Sequence, residues 1–233
     1  MSEENMEKPE RMAAFFDARA TGYDDHMREV VFSDTTFAQF YQAISVPIEK
    51  TNGPLNVLDL GCGTGLEIEP LLQHAPNVLI TGVDLSRKML DLLQQRYIAY
   101  MNQITLVADS YLTMPFGRHR YDYIISAMTV HHLLHDTKRK LYRKIHAALK
   151  PGGKYIEGDS VTSTKMESQF LAEYNEELAG MPQAEDGHYH IDVPFSIDTQ
   201  RTLLLEAGFN NFEVVWQKDS AAVWNVAVYV VTA

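Results

Sequence analysis

The chain has 233 residues, 45% hydrophobic and 22% charged, enough apolar material for one full α/β core in a single domain over 1–233. A net charge of −11 sets it against polyanions, so neither nucleic acid nor an anionic membrane is expected as a partner. The lone cysteine excludes an internal disulfide framework, and no apolar run reaches the ~18 residues of a membrane span. The start, Met1 to Lys8, has no basic segment leading into an apolar one, and a soluble cytoplasmic protein is expected.

In chain order, residues 9–50 read as helical. Met12, Phe15, Phe16 and Arg19 share one helical spacing; Phe37, Phe40, Tyr41 and Ile44 share another, before Pro47 and Asn52-Gly53-Pro54 end the region. Strands follow at 55–60 and 78–84, with a helix over about 65–74 between them. Ser86 is placed to cap a helix bearing Met89, Leu90, Leu93 and Tyr97. Strands at 104–108 and 121–127 come next, then a helix capped by Asp136 that stops at Lys150-Pro151-Gly152-Gly153. A strand at 154–158, a helix opened by Asp198 and closed by Gly208, and two strands at 212–216 and 223–231 complete the pattern. Only that last pair, joined at Gln217-Lys218-Asp219-Ser220, can form an antiparallel hairpin, since parallel strands need long crossovers.

Chemistry enters at Val57-Leu58-Asp59-Leu60-Gly61-Cys62-Gly63-Thr64-Gly65, where an apolar strand runs through an acid into alternate glycines. Glycines there let the backbone turn sharply and approach a ligand at the carboxyl end of a parallel strand. A dinucleotide fingerprint would need glycine where Leu66 stands, and a P-loop would need a Gly-Lys-Ser/Thr that is absent. The stretch resembles the first motif of the class I S-adenosylmethionine-dependent methyltransferases, and the resemblance extends over most of the chain. It implies a Rossmann-like α/β fold with a seven-stranded sheet, six strands parallel and one antiparallel, and helices on both faces. A helical lid over 1–54 and an acceptor-side insertion over 159–198 complete that expectation.

The same resemblance implies a cofactor site for S-adenosylmethionine, with S-adenosylhomocysteine as product. Asp84 ends the second strand where an acid can accept both ribose hydroxyls, and Leu85 follows it. Asp109 or its neighbour Ser110 would hold the adenine amino group. Asp59 would face the methionine ammonium, and Gly61, Cys62, Gly63 and Gly65 would form the floor. Backbone at Ser126 and Ala127 would contact the cofactor after the fourth strand, and Tyr23 and Arg19 belong to the lid.

The acceptor side is expected after that strand and within 159–198. His131 is the candidate base, since histidine titrates near neutrality, and His132, His188, Tyr189 and His190 are candidate substrate contacts. His188, His190 and Asp192 could imitate a metal triad, but no metal is expected. Lys138, Arg139, Lys140, Arg143 and Lys144 form a basic cluster that reads as a solvated helix face. The function implied is methyl transfer to a small molecule. Two alternatives keep the fold: a cofactor-modifying enzyme resembling carboxy-S-adenosylmethionine synthase, and a non-catalytic binding module. Acceptor, methylated atom and oligomeric state, monomer or homodimer, are left open.

Overall fold

The computed structural model describes residues 9–32, 34–183, 185–218 and 223–233. The leader reading at Met1 to Lys8 and the hairpin tip at Asp219-Ser220 lie outside those residues. The helices are α1 Met12–Arg19, α2 Tyr23–His26, α3 Asp34–Ser45, α4 Ile68–His74, α5 Arg87–Arg96, α6 His135–Ala148, α7 Thr164–Ala179 and α8 Ile197–Glu206. The strands are β1 Leu55–Leu60, β2 Val78–Asp84, β3 Ile104–Ala108, β4 Tyr121–Ala127, β5 Leu149–Thr162, β6 Phe195–Ser196, β7 Asn210–Gln217 and β8 Asn225–Thr232.

The sheet runs β3-β2-β1-β4-β5-β8-β7, and a two-residue β6 added beside β5 makes eight strands rather than the seven expected. Strand β8 is antiparallel to both neighbours, and the other pairings are parallel. Because side chains alternate across a strand, Val57, Ile80, Ile125 and Ile156 face one core with α3, α4 and α5. Leu58, Leu60, Ile124 and Tyr155 face the other with α6 and α8. The reversal of strand order between β1 and β4 opens a crevice at their carboxyl ends, the place where such sheets bind ligands.

Several boundaries differ from the sequence reading, each for a local reason. Ser86 caps α5 as expected, its Oγ accepting the Met89 N–H at 3.1 Å. Asp136 and Asp198 do not cap: α6 starts after Leu134 and α8 after Ser196, leaving both acids in first turns where the helix dipole favours them. The helical stretch 9–50 is interrupted by a 3₁₀ turn at Ala20–Gly22 and a π turn at Met27–Val31, which fold it back over the crevice. No helix among the described residues is long and apolar enough to cross a membrane.

Candidate active site

The loop after β1 gives the three glycines different work. Gly61, Gly63 and Gly65 all have positive φ, at 68°, 47° and 78°. A Cβ on Gly61 would lie 2.2 Å from Thr129 Oγ1, and one on Gly65 would lie 2.9 Å from the Tyr97 ring; around Gly63 nothing comes within 4 Å. The outer glycines are therefore needed for packing, and the middle one presents open backbone. Asp84 supports that backbone: Gly63 N–H donates to its Oδ2 at 2.9 Å and Ser86 N–H to its Oδ1 at 2.8 Å. One bond to each oxygen leaves each with a free lone pair. Leu85 beside it is exposed. The Cys62 thiol points away, buried against Gly82, so only its backbone borders the loop.

Beneath the loop two acids meet. Asp59 and Glu67 are 0% and 5% exposed, and apart from a contact with each other that needs a proton on one of them, both oxygens of Asp59 and Oε1 of Glu67 have no partner among the described residues. Burial pushes Glu67 up to about 7. Burial and the charge of Glu67 push Asp59 well above the usual carboxylate range. Buried acids whose only partner is each other call for a shared proton or a cation. An ammonium end would suit the Asp59 and Glu67 pair, a polar ribose-like end would suit Asp84, and the backbone at Gly63 between them in sequence is open.

At the end of β3, Asp109 is exposed and its carboxylate accepts the Ser110 N–H at 2.7 Å, while Ser110 itself lines the crevice with Tyr111 and Leu112. Ser126 turns its hydroxyl into the core, 2.8 Å from the Tyr155 hydroxyl, so it offers only backbone. Ala127 leads into Met128, which has φ 51° and whose N–H donates to Gly158 at 2.8 Å. Such a conformation at a non-glycine residue is held by its surroundings and turns the chain into the pocket.

The N-terminal segment closes over these elements. Asp24 accepts from Thr64 Oγ1 at 2.6 Å and from the Arg96 guanidinium, and Asp17 accepts from Ser86 Oγ at 2.5 Å. Pairing of Met12 N–H with the His188 carbonyl and of His190 N–H with that of Glu10, both 2.9 Å, joins the segment to 188–190. The gap left among Met12, Phe16, Asp84, Ser110 and Gly187 is about 40 Å³. Beside it lies a larger cavity of about 620 Å³, bordered by Phe16, Arg19, Tyr23, Met128, His131 and His190. Tyr23 is partly buried in its wall, and desolvation holds its hydroxyl protonated. Arg19 stands at its rim, over the Phe15 ring at 3.7 Å and paired with Glu10 at 2.9 Å.

Histidines form one wall of that cavity. Fully buried Asp159, on β5, accepts the N–H groups of Val130 and His131 at 2.7 and 3.1 Å and lies 2.5 Å from His131 Nδ1. Burial alone would depress the His131 imidazole, but the carboxylate of Asp159 overrides it and raises the pKa to about 10. His132 is lowered by burial and by His131, and His190 is lowered to about 3 by burial and by His132. Asp192, pulled well below the usual carboxylate range against its burial by His131 and His132, sits among all three rings.

Two expected substrate contacts stand apart. His188 is half exposed and pairs with Glu185 at 3.3 Å, and Tyr189 is buried with its hydroxyl donating to the Pro182 carbonyl at 2.7 Å. Alternation along the extended segment sends His190 and Asp192 one way and Tyr189 the other; His188 lies beyond the wall. The basic cluster on α6 dissolves as well: Lys138 is buried, Lys144 donates to three carbonyls of residues 111–114, and Arg139 pairs with Asp136 and Glu206. Sequence reasoning missed Glu67 and Asp159. Asp159 could have been suspected as an acid within an apolar strand; Glu67 carried no such signal in its helical context.

Residues 57–153 match the methyltransferase domain family. The chain is similar to the biotin biosynthesis bifunctional protein BioHC of Teredinibacter turnerae, with 26% identity over 209 residues, covering 87% of this chain and 34% of that protein. It thus spans about a third of that relative. It is also similar to the carboxy-S-adenosyl-L-methionine synthase of Campylobacter fetus, with 24% identity, covering 93% of this chain and 95% of that one. Among solved structures, phosphoethanolamine N-methyltransferase 2 of Haemonchus contortus shares the fold, with a TM-score of 0.69 at 16% identity, covering 94% of this chain and 60% of that one. With the glycine loop, the acid ending β2 and the sheet order already in hand, the methyltransferase domain at 57–153 and these likenesses support a class I S-adenosylmethionine-dependent methyltransferase.

Proposed function

We propose that the chain transfers a methyl group from S-adenosylmethionine to a small-molecule acceptor, releasing S-adenosylhomocysteine. The observation that carries this reading is the buried acid pair Asp59 and Glu67 flanking a glycine loop whose Gly63 is open, together with a cavity of about 620 Å³ bordered by the N-terminal segment, Met128 and His131. That volume is the size of a small-ligand site. The cofactor supplies a methyl carbon made electrophilic by its sulfonium. Asp84 takes the ribose hydroxyls with its spare lone pairs, Ser110 beside Asp109 takes the adenine edge, and Asp59 with Glu67 holds the methionine ammonium. Backbone at Gly61, Cys62, Gly65, Leu85, Ser126 and Ala127 completes the walls, and Tyr23 with Arg19 closes the acceptor end.

The protein's main task is then alignment of acceptor, methyl and sulfur in a water-poor pocket. His131, His132 and His190 face the acceptor; His188 and Tyr189 support them through the paired segments. Held at about 10 by Asp159, His131 keeps its proton at neutral pH, so it orients or neutralises the acceptor instead of drawing a proton from it. The test of the cofactor reading is a thermal shift with S-adenosylhomocysteine. Ligand at ~100 times its dissociation constant should add about 2.7 kcal/mol of stability, and no shift at millimolar ligand overturns the reading.

A second reading, modification of the cofactor's methyl group, is favoured by the full-length likeness to a carboxy-S-adenosyl-L-methionine synthase. It needs fixed cations for a carboxylate, and Arg19 in this pocket is already engaged by Glu10 and Phe15. Intact-mass analysis of the cofactor after turnover separates the two, since only methyl transfer yields S-adenosylhomocysteine and a heavier acceptor.

A further inference from the structure

Around Asp192 the cavity wall gathers more nitrogen ligands than a hydrogen-bonded carboxylate needs. Its Oδ1 lies 3.0 Å from His132 Nδ1, 3.4 Å from His131 Nε2 and 4.0 Å from His190 Nε2. The oxygen is buried, and its partners among the described residues are these imidazole nitrogens. Donor atoms from His131, His132 and Asp192 all fall within 4.8 Å of one another. Donors bound at ~2.0–2.1 Å to one ion stand about 3.0–3.4 Å apart along the edges of an octahedron or tetrahedron. The two shorter separations here match such edges.

We propose that His131, His132 and Asp192, with His190 as a fourth donor, bind one divalent first-row transition ion, of the zinc or ferrous class, in the acceptor pocket. Imidazole donors suit those ions and disfavour magnesium and calcium, which demand oxygen. The chain already supplies the outer support that such a site requires. Asp159 holds His131 Nδ1 at 2.5 Å and so turns Nε2 toward Asp192, the carboxylate–histidine arrangement that fixes ring orientation at metal centres, and the ion would displace the proton that Nε2 carries in the metal-free protein. Phe15 stacks on the His190 ring with centroids 3.5 Å apart, fixing the donor that comes from the N-terminal cover. His132 Nδ1 also lies 3.3 Å from the Ile191 carbonyl, a long contact that metal binding would replace. The ligands occupy one wall only, so coordination positions face the cavity, as in sites that take substrate. There the ion would take an oxygen, nitrogen or sulfur of the acceptor as ligand and ease loss of its proton.

The role in acceptor binding rests on the methyltransferase reading above; the site itself does not. The experiment is a titration of chelator-treated protein with Co²⁺ as the probe, read by visible ligand-field absorption, with S-adenosylhomocysteine binding measured on the same sample. Uptake of about one equivalent is expected, abolished in His132→Ala and in Asp192→Asn. Asp159→Asn should weaken it 10–100-fold, the usual effect of losing an outer-sphere partner. Asp192 is partly exposed, so its variant stays informative if His132→Ala fails to fold. Protein that binds S-adenosylhomocysteine but takes up no Co²⁺, or takes it up equally in Asp192→Asn, overturns the metal site. Protein that takes up Co²⁺ in the expected pattern but not S-adenosylhomocysteine keeps the site and overturns the cofactor reading.

Discussion

Asp84 Oδ2 accepts the N–H of Gly63 at 2.9 Å, so the acid ending β2 holds the loop that follows β1. Its other oxygen accepts the Ser86 N–H at 2.8 Å, which ties the same carboxylate to the start of α5. Asp84 therefore shapes the crevice as well as facing it. Asp84→Ala should weaken S-adenosylhomocysteine binding by roughly 1.5–3 kcal/mol, the range for hydrogen bonds to a charged acceptor. Calorimetry on folded variant checks this, and unchanged affinity would leave Asp84 with the structural task alone.

The glycines separate packing from ligand approach. Gly61→Ala should destabilise the protein, by about 1–3 kcal/mol from the positive φ alone and more from the Thr129 clash, read as a fall in thermal midpoint. Gly63→Ala meets nothing within 4 Å, so it should fold with a smaller loss yet bind S-adenosylhomocysteine poorly, because its methyl occupies the open backbone face. Equal stability losses in the two variants, with cofactor affinity retained at Gly63→Ala, would contradict that division.

The Asp59 and Glu67 pair makes cofactor binding depend on pH. Glu67 is raised from an ordinary value of 4.5 to about 7, so the folded chain holds a proton that the unfolded chain releases earlier. Its contribution to stability is full below about 4.5 and is lost as pH rises through about 7. A bound ammonium reverses the preference, favouring ionised acids, so affinity should increase with pH up to about 7 and then level off. Calorimetry in buffers of different ionisation enthalpy should record proton release on binding at pH 6, and Glu67→Gln should flatten the profile. A flat wild-type profile between pH 5.5 and 8 would show that the ammonium lies elsewhere.

Much of this site was legible in residues whose roles are local. The strands at 55–60, 78–84, 104–108 and 121–127 were bounded correctly because apolar runs end there at glycine, acid or turn residues. Asp84 and the glycines followed from their positions at strand ends. What was hidden depends on residues far apart in sequence: Asp159 reaches His131 across 28 positions, and the N-terminal strand-like pairing reaches 188–190 across more than 170. The positions of His188 and Tyr189 off the cavity wall were hidden for the same reason, since alternation shows which residues share a side but not which side faces the cavity. The added strand β6 is two residues long, too short to leave a periodic trace.

The cover formed by α1 sets the last prediction. Asp17 Oδ1 accepts from Ser86 Oγ at 2.5 Å and from the Lys88 N–H at 3.3 Å, fastening α1 to the start of α5 directly over the acid that ends β2. With the cover in this position the gap beside Asp84 is about 40 Å³, far below the ~300 Å³ at which small-ligand pockets begin. Cofactor exchange then requires α1 to lift, and the bonds of Asp17 oppose lifting. Removing bonds to a charged acceptor worth roughly 1.5–3 kcal/mol should raise the open population about 10- to 100-fold. Asp17→Ala should accordingly speed both association and dissociation of S-adenosylhomocysteine in stopped-flow measurements, with a smaller change in their ratio, because the residue holds the cover and lies outside the crevice lining. Asp17→Asn, which can still accept a hydrogen bond without the charge, should fall between. Association at the wild-type rate in both variants would mean that the cofactor reaches Asp84 by a route that leaves α1 in place.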